Sequence, residues 1–264
     1  MNLMEIITST QNPKIKQAVK LQDAKERKES GLIIVEGRKE ISLALKAEIE
    51  IETLFYCAQL AGEDNALLLL LDRKKIINVT PEVFKKIAYR ENPDGFLAVA
   101  QAKEIKLEQI KLSKKPLIIV LEAVEKPGNL GAILRSADAA KADAVIVSDP
   151  KTDIFNPNVI RASLGTVFTN QVAVSDFQEL QGWLKANNIR IFAATPHTKT
   201  AYTKADYSGP SAILIGTEHD GLSEKWIEAA DEKIKIPMKG QIDSLNASVS
   251  LAIVLFEAIR QRNE

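Results

Sequence analysis

The chain has 264 residues, 45% hydrophobic and 27% charged, which is the composition of a folded globular protein and excludes a disordered one. Its 35 basic and 35 acidic residues cancel, so any nucleic-acid site must come from local clusters of charge. One cysteine, Cys57, and two histidines, His197 and His219, exclude an internal disulfide and argue against a zinc site, so we expect no metal. The apolar runs are too short for a bilayer and the N-terminus lacks signal-peptide features, so we expect a cytoplasmic protein.

The first half of the chain alternates short helices and strands. A helix is predicted over 12–28, because Ile15 and Val19 recur at helical spacing among lysines. This alternation is typical of an α/β unit, which we place at residues 1–100, followed by a charged linker at 101–115. The further predicted helices are 38–46, 65–72 and 81–88, and the predicted strands are 32–35, 53–56, 76–79 and 96–100.

The second half, 116–264, repeats the alternation with more apolar strands. Several strands are near-continuous apolar runs, as in parallel sheets that are covered on both faces. We therefore predict an α/β domain built on a parallel sheet. The predicted strands are 117–121, 144–147, 171–174, 190–194, 212–215 and 233–236. The predicted helices are 129–140, 157–164, 177–186, 224–230 and 246–262.

The last predicted helix is apolar on two sides. One stripe consists of Leu245, Val249, Ala252, Ile253, Phe256 and Ile259, and the other of Leu251, Val254, Leu255 and Ala258. Such a helix needs two partners. One is its own sheet, and the second is either another subunit or more of the same chain.

A first polar loop, at 122–135, leads from a strand into a helix. Asn129 is a candidate cap for that helix, and Gly128 and Gly131 allow close backbone approach. The loop lacks the third glycine of a dinucleotide fingerprint. Taken alone, it indicates a structural cap and a surface arginine, Arg135.

A second polar loop, at 215–223, follows another buried strand. Gly216 ends the strand, and Gly221 is predicted to supply a turn with positive φ. Glu218 lies between them at the carboxyl edge of the sheet, where open parallel sheets bind ligands. A plain surface turn with Ser223 capping the next helix explains the same residues.

A third polar loop, at 236–248, enters the last helix. Ser244 or Asp243 is predicted to cap that helix. Asn246 is a poor helix former just inside an apolar helix, which favours a specific hydrogen-bonding role.

Together and in this order, the segments PGNLGAILR, LIGTEHDGL and IPMKGQIDSLNASVSLAIVLFEA resemble the SpoU, or TrmH, family of RNA 2′-O-ribose methyltransferases. Residues 156–165 are similar to the family's connecting motif. The first 100 residues, with ITSTQNPKIKQAVKL and LIIVEGRKEI, resemble its ribosomal-protein-like substrate-binding domain. The resemblance implies an α/β C-terminal SPOUT domain with a parallel sheet and a deep trefoil knot. It also implies a homodimer with its active site near the subunit interface.

The resemblance assigns roles to individual side chains. It implies S-adenosylmethionine as the cofactor, contacted by Thr195, Gly216, Ile236, Met238 and Leu245. The catalytic and substrate-handling positions that it implies are Asn129, Arg135, Glu218, Ser244 and Asn246. The sequence GTEHDG departs from the family pattern at His219, which either touches RNA or is a solvated turn residue.

The resemblance also implies an RNA partner, with ribosomal (23S) RNA favoured, transfer RNA as the alternative and no membrane. The candidate RNA contacts are Lys14, Lys16, Lys20, Arg27, Lys28, Arg38 and Arg161, although such charge runs are also common on solvated faces. Arg135 either activates the 2′-hydroxyl or clamps a phosphate while water takes the proton. A non-catalytic RNA-binding or assembly factor is the competing function, and a dinucleotide-dependent oxidoreductase is disfavoured by the incomplete glycine fingerprint.

Overall fold

The computed structural model describes residues 6–63, 65–217 and 220–262. The helices, in chain order, are α1 (Pro13–Lys20), α2 (Ala24–Ser30), α3 (Arg38–Lys46), α4 (Ala58–Ala61), α5 (Pro81–Ile87), α6 (Pro127–Ala140), α7 (Pro157–Ala162), α8 (Thr166–Thr169), α9 (Phe177–Ala186), α10 (Glu224–Ala229) and α11 (Ala247–Arg262). The strands are β1 (Ile6–Ile7), β2 (Leu32–Glu36), β3 (Ile51–Tyr56), β4 (Ile76–Val79), β5 (Phe96–Gln101), β6 (Leu117–Glu122), β7 (Ala144–Ser148), β8 (Val172–Ser175), β9 (Arg190–Ala194), β10 (Ser211–Ile215) and β11 (Glu232–Ile234). Short 3₁₀ helices cover Ala66–Leu70, Arg73–Lys75, Leu107–Gln109 and Tyr202–Lys204.

The chain divides into two compact units. The N-terminal unit consists of Met1–Lys103 together with Ile154–Thr169, and the C-terminal unit of Glu104–Asp153 and Asn170–Glu264. The segment that carries α7 and α8 thus packs with the N-terminal unit, where α7 contacts β2 and α8 contacts α3. This differs from the continuous domain that was predicted for 116–264.

The N-terminal unit is built on a mixed five-stranded sheet in the order β1-β4-β3-β5-β2. β1, β4 and β3 are parallel neighbours, whereas β5 runs antiparallel to both β3 and β2. Helices α1 and α5 pack together over a core that includes Ile15, Phe55 and Phe84.

The long helix predicted over 12–28 is two helices. α1 ends at Lys20, with Leu21 as its C-cap, and the Asp23 carboxylate begins α2 by accepting a hydrogen bond of 2.8 Å from the Lys25 backbone N–H. An aspartate at this position satisfies a free helical N–H group, so it starts a new helix in place of continuing the old one. The helix predicted at 65–72 is a 3₁₀ turn, Ala66–Leu70.

The C-terminal unit confirms the predicted parallel sheet. Its six strands follow the order β11-β9-β10-β6-β7-β8, and every pairing is parallel. One cluster of buried residues joins the sheet to α9 and α10 through Leu180, Leu184 and Trp226. Helices α6 and α11 pack against each other and contact β7 and β10.

The segment predicted as a linker contributes to the C-terminal core. Leu107 and Ile110 are buried in the same cluster as Trp226, and the turn Leu107–Gln109 contacts β8. Two well-placed apolar residues in a charged segment are enough to anchor it to a core. Residues 104–115 therefore belong to the C-terminal unit.

The last helix buries one of its two apolar stripes. Leu251, Val254, Leu255 and Ala258 are buried, as expected for the stripe that faces its own unit. The other stripe is only partly covered: Val249 is 46% and Phe256 48% exposed, and its remaining residues are half-buried. Among the described residues, none of the helices combines the length and apolar character that crossing a bilayer requires.

Candidate active site

Four loops of the C-terminal unit leave the same edge of the sheet. β11, β9, β10 and β6 are neighbours in that order and are all parallel, so their carboxyl ends lie side by side. Ile215, the last residue of β10, is opposite Leu121 of β6. From β6, the chain first adds β7 and then β8 on one side of the sheet, and later adds β9 and β10 on the other side. The direction of the strand order therefore reverses between β6 and β10, and the loops that follow these two strands meet there. Ligands bind at such points in open parallel sheets.

A cavity of about 910 Å³ opens at this edge. Its walls come from the loops after β9, β10 and β11 and from the first turns of α11. All five residues that were predicted to contact the cofactor line it: Thr195, Gly216, Ile236, Met238 and Leu245. Ser244, from the predicted catalytic set, lines it as well. The volume falls within the range of small-molecule sites, about 300–1,000 Å³.

The loop after β10 folds back tightly on itself. The Thr217 backbone N–H donates to the Gly221 carbonyl at 2.9 Å, and the Gly221 N–H donates to the Thr217 carbonyl at 3.2 Å. A Cβ atom on Gly216 would lie 2.1 Å from the Gly221 carbonyl carbon, so only glycine fits there. Gly221 has a φ of +70°, which confirms the predicted turn. Glu218 and His219, between these residues, lie outside the described residues.

Asn246 and Asn129 connect the third polar loop with the first. The Asn246 side-chain N–H donates to Asn129 Oδ1 at 3.1 Å, although the residues are 117 positions apart. Asn246 Oδ1 accepts from the Ser248 backbone N–H at 2.9 Å and from the Ser248 hydroxyl at 2.6 Å. One side chain therefore caps α11 and reaches α6, as the misfit of Asn246 in an apolar helix indicated.

Two predicted helix caps are wrong. Because Asn246 begins α11, Ser244 and Asp243 lie in the preceding loop, where the Ser244 hydroxyl bonds to Asp243 Oδ1 at 3.1 Å. Asn129 lies inside the first turn of α6, which begins at Pro127. Proline needs no hydrogen-bond acceptor for its nitrogen and favours the first helical position, so the helix starts two residues before the asparagine.

Arg135 projects from α6 to the surface. Its side chain is exposed and forms no hydrogen bond or ion pair within the described part of the chain. It is also absent from the lining of the 910 Å³ cavity of its own chain. The guanidinium is therefore available to a ligand or to a second molecule.

Glu122, Ser223, Lys225 and Asp149 form a polar cluster at this edge that the sequence predictions missed. Glu122 accepts from both the backbone N–H and the hydroxyl of Ser223, at 2.8 and 2.6 Å. Lys225 pairs with Asp149 at 2.8 Å and lies 4.0 Å from Glu122. The available signal was the carboxylate itself, a charged residue that ends an apolar strand and is only 6% exposed.

The predicted RNA contacts differ in accessibility. Lys14, Lys16, Lys20, Lys28 and Arg161 are exposed. Arg27 is only 4% exposed, and its guanidinium donates to the carbonyls of Leu21 and Gln22 at 2.8 and 2.9 Å. It stabilises the break between α1 and α2, so its prediction as an RNA contact is wrong. Arg38 is half-buried, with a bond of 2.6 Å to the Ala61 carbonyl.

The described residues contain no group of three or more histidine, cysteine, aspartate or glutamate side chains placed to hold a metal ion. The single cysteine, Cys57, is buried in the N-terminal unit.

Comparison with known proteins agrees with this geometry. The model of the SpoU rRNA Methylase family matches residues 116–256, and the MRM3-like substrate binding domain matches residues 12–98. The chain is 31% identical to the 23S rRNA (uridine(2479)-2′-O)-methyltransferase of Streptomyces viridochromogenes over 90% of this chain and 85% of that protein.

Two solved structures share the whole fold. A crystal structure of an RNA 2′-O ribose methyltransferase is 41% identical, with a TM-score of 0.86 over 98% of this chain and 100% of that one. The AdoMet-bound rRNA methyltransferase of Sinorhizobium meliloti is 30% identical, with a TM-score of 0.89 over 97% of each chain. The matches cover both units, and the chain belongs to the SpoU rRNA methylase family, with an MRM3-like substrate-binding domain in its first hundred residues.

Proposed function

We infer that this chain transfers the methyl group of S-adenosylmethionine to a ribose 2′-hydroxyl of RNA, and that its substrate is 23S ribosomal RNA. The hydrogen bond of 3.1 Å between Asn129 and Asn246 carries this inference. It joins two of the family's loops at the sheet edge that also bears the 910 Å³ cavity. The relative from Streptomyces viridochromogenes acts on 23S rRNA by its name, and the Sinorhizobium meliloti structure holds AdoMet.

The cavity fits S-adenosylmethionine in size and chemistry. Ile236, Met238 and Leu245 offer an apolar surface for an adenine ring, and Thr195 and Ser244 offer hydroxyl groups. Four carboxylates and two lysines also line the cavity, so its net charge is negative and favours a ligand with positive charge: Asp220, Glu224, Glu228 and Asp243 against Lys233 and Lys235. When bound, the sulfonium supplies a methyl group that is already activated for displacement.

The protein's remaining task is to position the ribose and to stabilise charge. An arginine guanidinium has five N–H donors and no acceptor, so Arg135 acts as a cation and hydrogen-bond donor and not as a base. It binds the phosphate next to the reacting ribose and stabilises the alkoxide that develops at the 2′-oxygen, while water accepts the proton. Asn129 and Asn246 hold the ribose in line, and Ser244 contributes a hydroxyl group to the pocket.

The protein works as a homodimer with a knotted C-terminal unit. The partly covered stripe of α11, with Val249 and Phe256 about half exposed, is a suitable surface for a second copy. The exposed side chain of Arg135 lies outside the lining of its own chain's cavity, which supports a site that Arg135 completes at the cavity of the partner. Because ribosomal RNA is the substrate, the protein acts in the cytoplasm.

The reaction is tested with labelled S-adenosylmethionine, purified full-length protein and unmodified 23S rRNA transcript, with a tRNA transcript beside it. We expect label in 23S rRNA at one ribose, located by mapping of 2′-O-methyl groups. The same position should lose its methyl group in cells that lack the protein. Label in tRNA alone would show that tRNA, and not 23S rRNA, is the substrate. RNA binding without any methyl transfer would favour an assembly factor.

A further inference from the structure

The N-terminal unit contains a second cavity, of about 630 Å³, which is lined mainly by charged side chains. Its walls come from the start of α3, from the loop between α5 and β5, and from α7. The lining residues are Arg38, Lys39, Glu40, Arg90, Asp94, Arg161 and Leu164, which we call the arginine cleft.

Buried carboxylates hold the floor of the arginine cleft. Arg90 donates to Glu40 Oε1 at 2.6 Å and to the Glu36 carbonyl at 3.1 Å. Glu36 Oε2 accepts from the backbone N–H groups of Tyr89 and Arg90, at 2.7 and 3.1 Å. Glu36 and Glu40 are 6% and 3% exposed. This network fixes the loop that carries Tyr89 and Arg90, because breaking a buried carboxylate contact is costly.

A glycine permits this packing. Gly37, just before α3, has a φ of +108°, and a Cβ atom there would lie 2.3 Å from Glu40 Oε2 and 2.8 Å from the Arg90 guanidinium. Any side chain at this position would separate Arg90 from Glu40. The glycine of the EGRKE segment is therefore required by the arginine cleft.

The wall beside α3 is held by Asp94 and Arg38. Asp94 Oδ2 accepts from the Arg38 backbone N–H at 2.8 Å. The Arg38 guanidinium donates to the Ala61 carbonyl at 2.6 Å and lies 4.8 Å from the centre of the Phe96 ring. Arg38 thus serves mainly to shape the wall.

Two cations of the cleft have no acidic partner. Glu40 pairs with Arg90, and within the described residues neither Lys39 nor Arg161 forms an ion pair. Both side chains are exposed. Among the described residues, the Arg161 guanidinium contacts neutral groups, with Asn158 Oδ1 at 3.0 Å and the Tyr89 ring centre at 6.0 Å. The rim of the cleft therefore carries two positive charges that an anion can neutralise.

An aromatic ring stands beside Arg161, at the edge of the cleft. Tyr89 is 39% exposed, and its hydroxyl accepts a hydrogen bond of 2.6 Å from the Asn158 side chain, which fixes the ring. A fixed, exposed tyrosine next to an unneutralised cation is the combination that binds single-stranded nucleic acid, because bases stack on the ring and phosphates bind the cation.

We propose that the arginine cleft binds an unpaired nucleotide of the RNA, with its base stacked against Tyr89 and its phosphate held by Lys39 and Arg161. This rests on the proposed function in that the chain acts on RNA, but it involves no residue of the methyl-transfer pocket. The exposed lysines of α1 have no aromatic side chain on their helix, so they add charge without a surface on which an unpaired base could stack.

The test compares Lys39→Ala/Arg161→Ala with Arg73→Ala/Lys74→Ala in the full-length protein. Each pair removes one exposed lysine and one exposed arginine from the N-terminal unit. The probe is unmodified 23S rRNA transcript, with a single-stranded RNA and an RNA duplex of equal length beside it. Each phosphate that loses its contacts should lower the slope of log K against log salt by about 1, so the cleft variant, which loses one phosphate, should lose about 1. We expect at least tenfold weaker binding of single-stranded RNA and little change for the duplex.

A second pair of variants isolates the ring. Tyr89→Phe keeps a surface for stacking and should bind single-stranded RNA nearly as well as the unmodified protein, whereas Tyr89→Leu should bind about tenfold more weakly, in line with about 1–3 kcal/mol per stacked base. Equal binding by these two variants, or equal salt slopes for the two double variants, would overturn the proposal.

The outcome is separable from the methyl-transfer reaction. Binding of S-adenosylmethionine and the melting temperature should be the same in all four variants, which shows that they are folded. If the unmodified protein binds RNA through the cleft but transfers no methyl group, the proposed reaction is wrong and the proposed nucleotide site is kept. If it methylates RNA and the cleft variants bind RNA like the control pair, the proposed nucleotide site is wrong and the proposed reaction is kept.

Discussion

Glu122 and Ser223 are joined by two hydrogen bonds across 101 positions of sequence. The Glu122 carboxylate, at the end of β6, accepts from the Ser223 backbone N–H at 2.8 Å and from its hydroxyl at 2.6 Å. Ser223 ends the loop that begins at Gly216, and this loop forms one wall of the 910 Å³ cavity. The Glu122 carboxylate, at the end of β6, therefore determines where the loop after β10 lies.

The first prediction is that this contact sets the affinity for S-adenosylmethionine. Glu122→Gln replaces one acceptor oxygen with an amide nitrogen, and Ser223→Ala removes the hydroxyl. Each should raise the Kd for the cofactor about tenfold. A lost hydrogen bond to a charged group corresponds to about 1.5–3 kcal/mol, and part of this free energy is lost from cofactor binding because the loop after β10 is held less firmly at the cavity. Calorimetry with both single variants and the double variant measures the effect.

The controls follow from the same cluster. The double variant should bind about as weakly as either single one, since both changes act on the bond between the Ser223 hydroxyl and the Glu122 carboxylate. Lys225→Ala removes the pair with Asp149 and the 4.0 Å contact with Glu122 but keeps both Ser223 hydrogen bonds, so it should change the affinity much less. Additive losses, or an equal loss for Lys225→Ala, would show that the Glu122–Ser223 contact has no specific role.

The second prediction separates the two tasks of Asn246. Asn246→Asp keeps an oxygen that caps α11 but places a carboxylate opposite Asn129 Oδ1, 3.1 Å away in the present structure. The free energy of unfolding should change by less than about 0.5 kcal/mol, while methylation falls about a hundredfold. Asn246→Ala loses the cap too and should be about 1 kcal/mol less stable. Urea unfolding and single-turnover kinetics measure both effects, and an active Asn246→Asp would leave Asn246 as a cap alone.

The third prediction concerns Arg135. Arg135→Ala should abolish methylation and leave the cofactor affinity nearly intact, because the side chain is exposed and does not line the cavity. Calorimetry and a methylation assay on the same preparation test this. Lost cofactor affinity, or full activity, would refute the role.

The fourth prediction tests whether Arg135 acts on the partner's cavity. Ile236→Trp fills the cavity from its wall. Co-expression of this variant with Arg135→Ala, each with its own tag, should restore about a quarter of the normal rate, because half of the dimers are mixed and have one intact site of two. No recovery in purified mixed dimers would place Arg135 in the site of its own chain.

The apolar runs and connecting helices predict the parallel sheet, but not the local contacts around its edge. The five residues to which the family resemblance assigns the cofactor line one cavity, because their loops follow neighbouring parallel strands. The cap of α11 was assigned to Ser244 or Asp243 because several capping residues stand in a row, and only the backbone path decides among them. Burial of Arg27 depends on the break between α1 and α2, and the Glu122–Ser223 contact depends on tertiary packing. Neither the burial of Arg27 nor the Glu122–Ser223 contact can be predicted from the residues that are close to it in the sequence.

The last prediction is a pH dependence at the end of α11. Hydrogen bonds from Arg260 and Gln261 lower the pKa of Glu257 from 4.5 to about 2. Gln261 also donates to the Ala205 carbonyl at 3.1 Å and accepts from the Tyr207 backbone N–H at 3.0 Å, so the carboxylate supports the contact between α11 and this segment. Since the pKa is lower in the folded state, the ionised carboxylate stabilises the fold above about pH 4.5, and this contribution is lost as the pH falls toward 2.

Glu257→Gln should therefore lower the free energy of unfolding by about 1 kcal/mol at pH 7, after allowance for solvent screening. The difference from the unmodified protein should shrink steadily below about pH 4.5, because protonation removes from the native carboxyl what the substitution removes permanently. Urea unfolding between pH 7 and pH 3 measures this, with Glu29→Gln as a control that removes an exposed carboxylate 3.8 Å from Lys25 and should change stability by less than about 0.5 kcal/mol. A difference that stays constant down to pH 3 would mean that Glu257 contributes through packing and not through its charge.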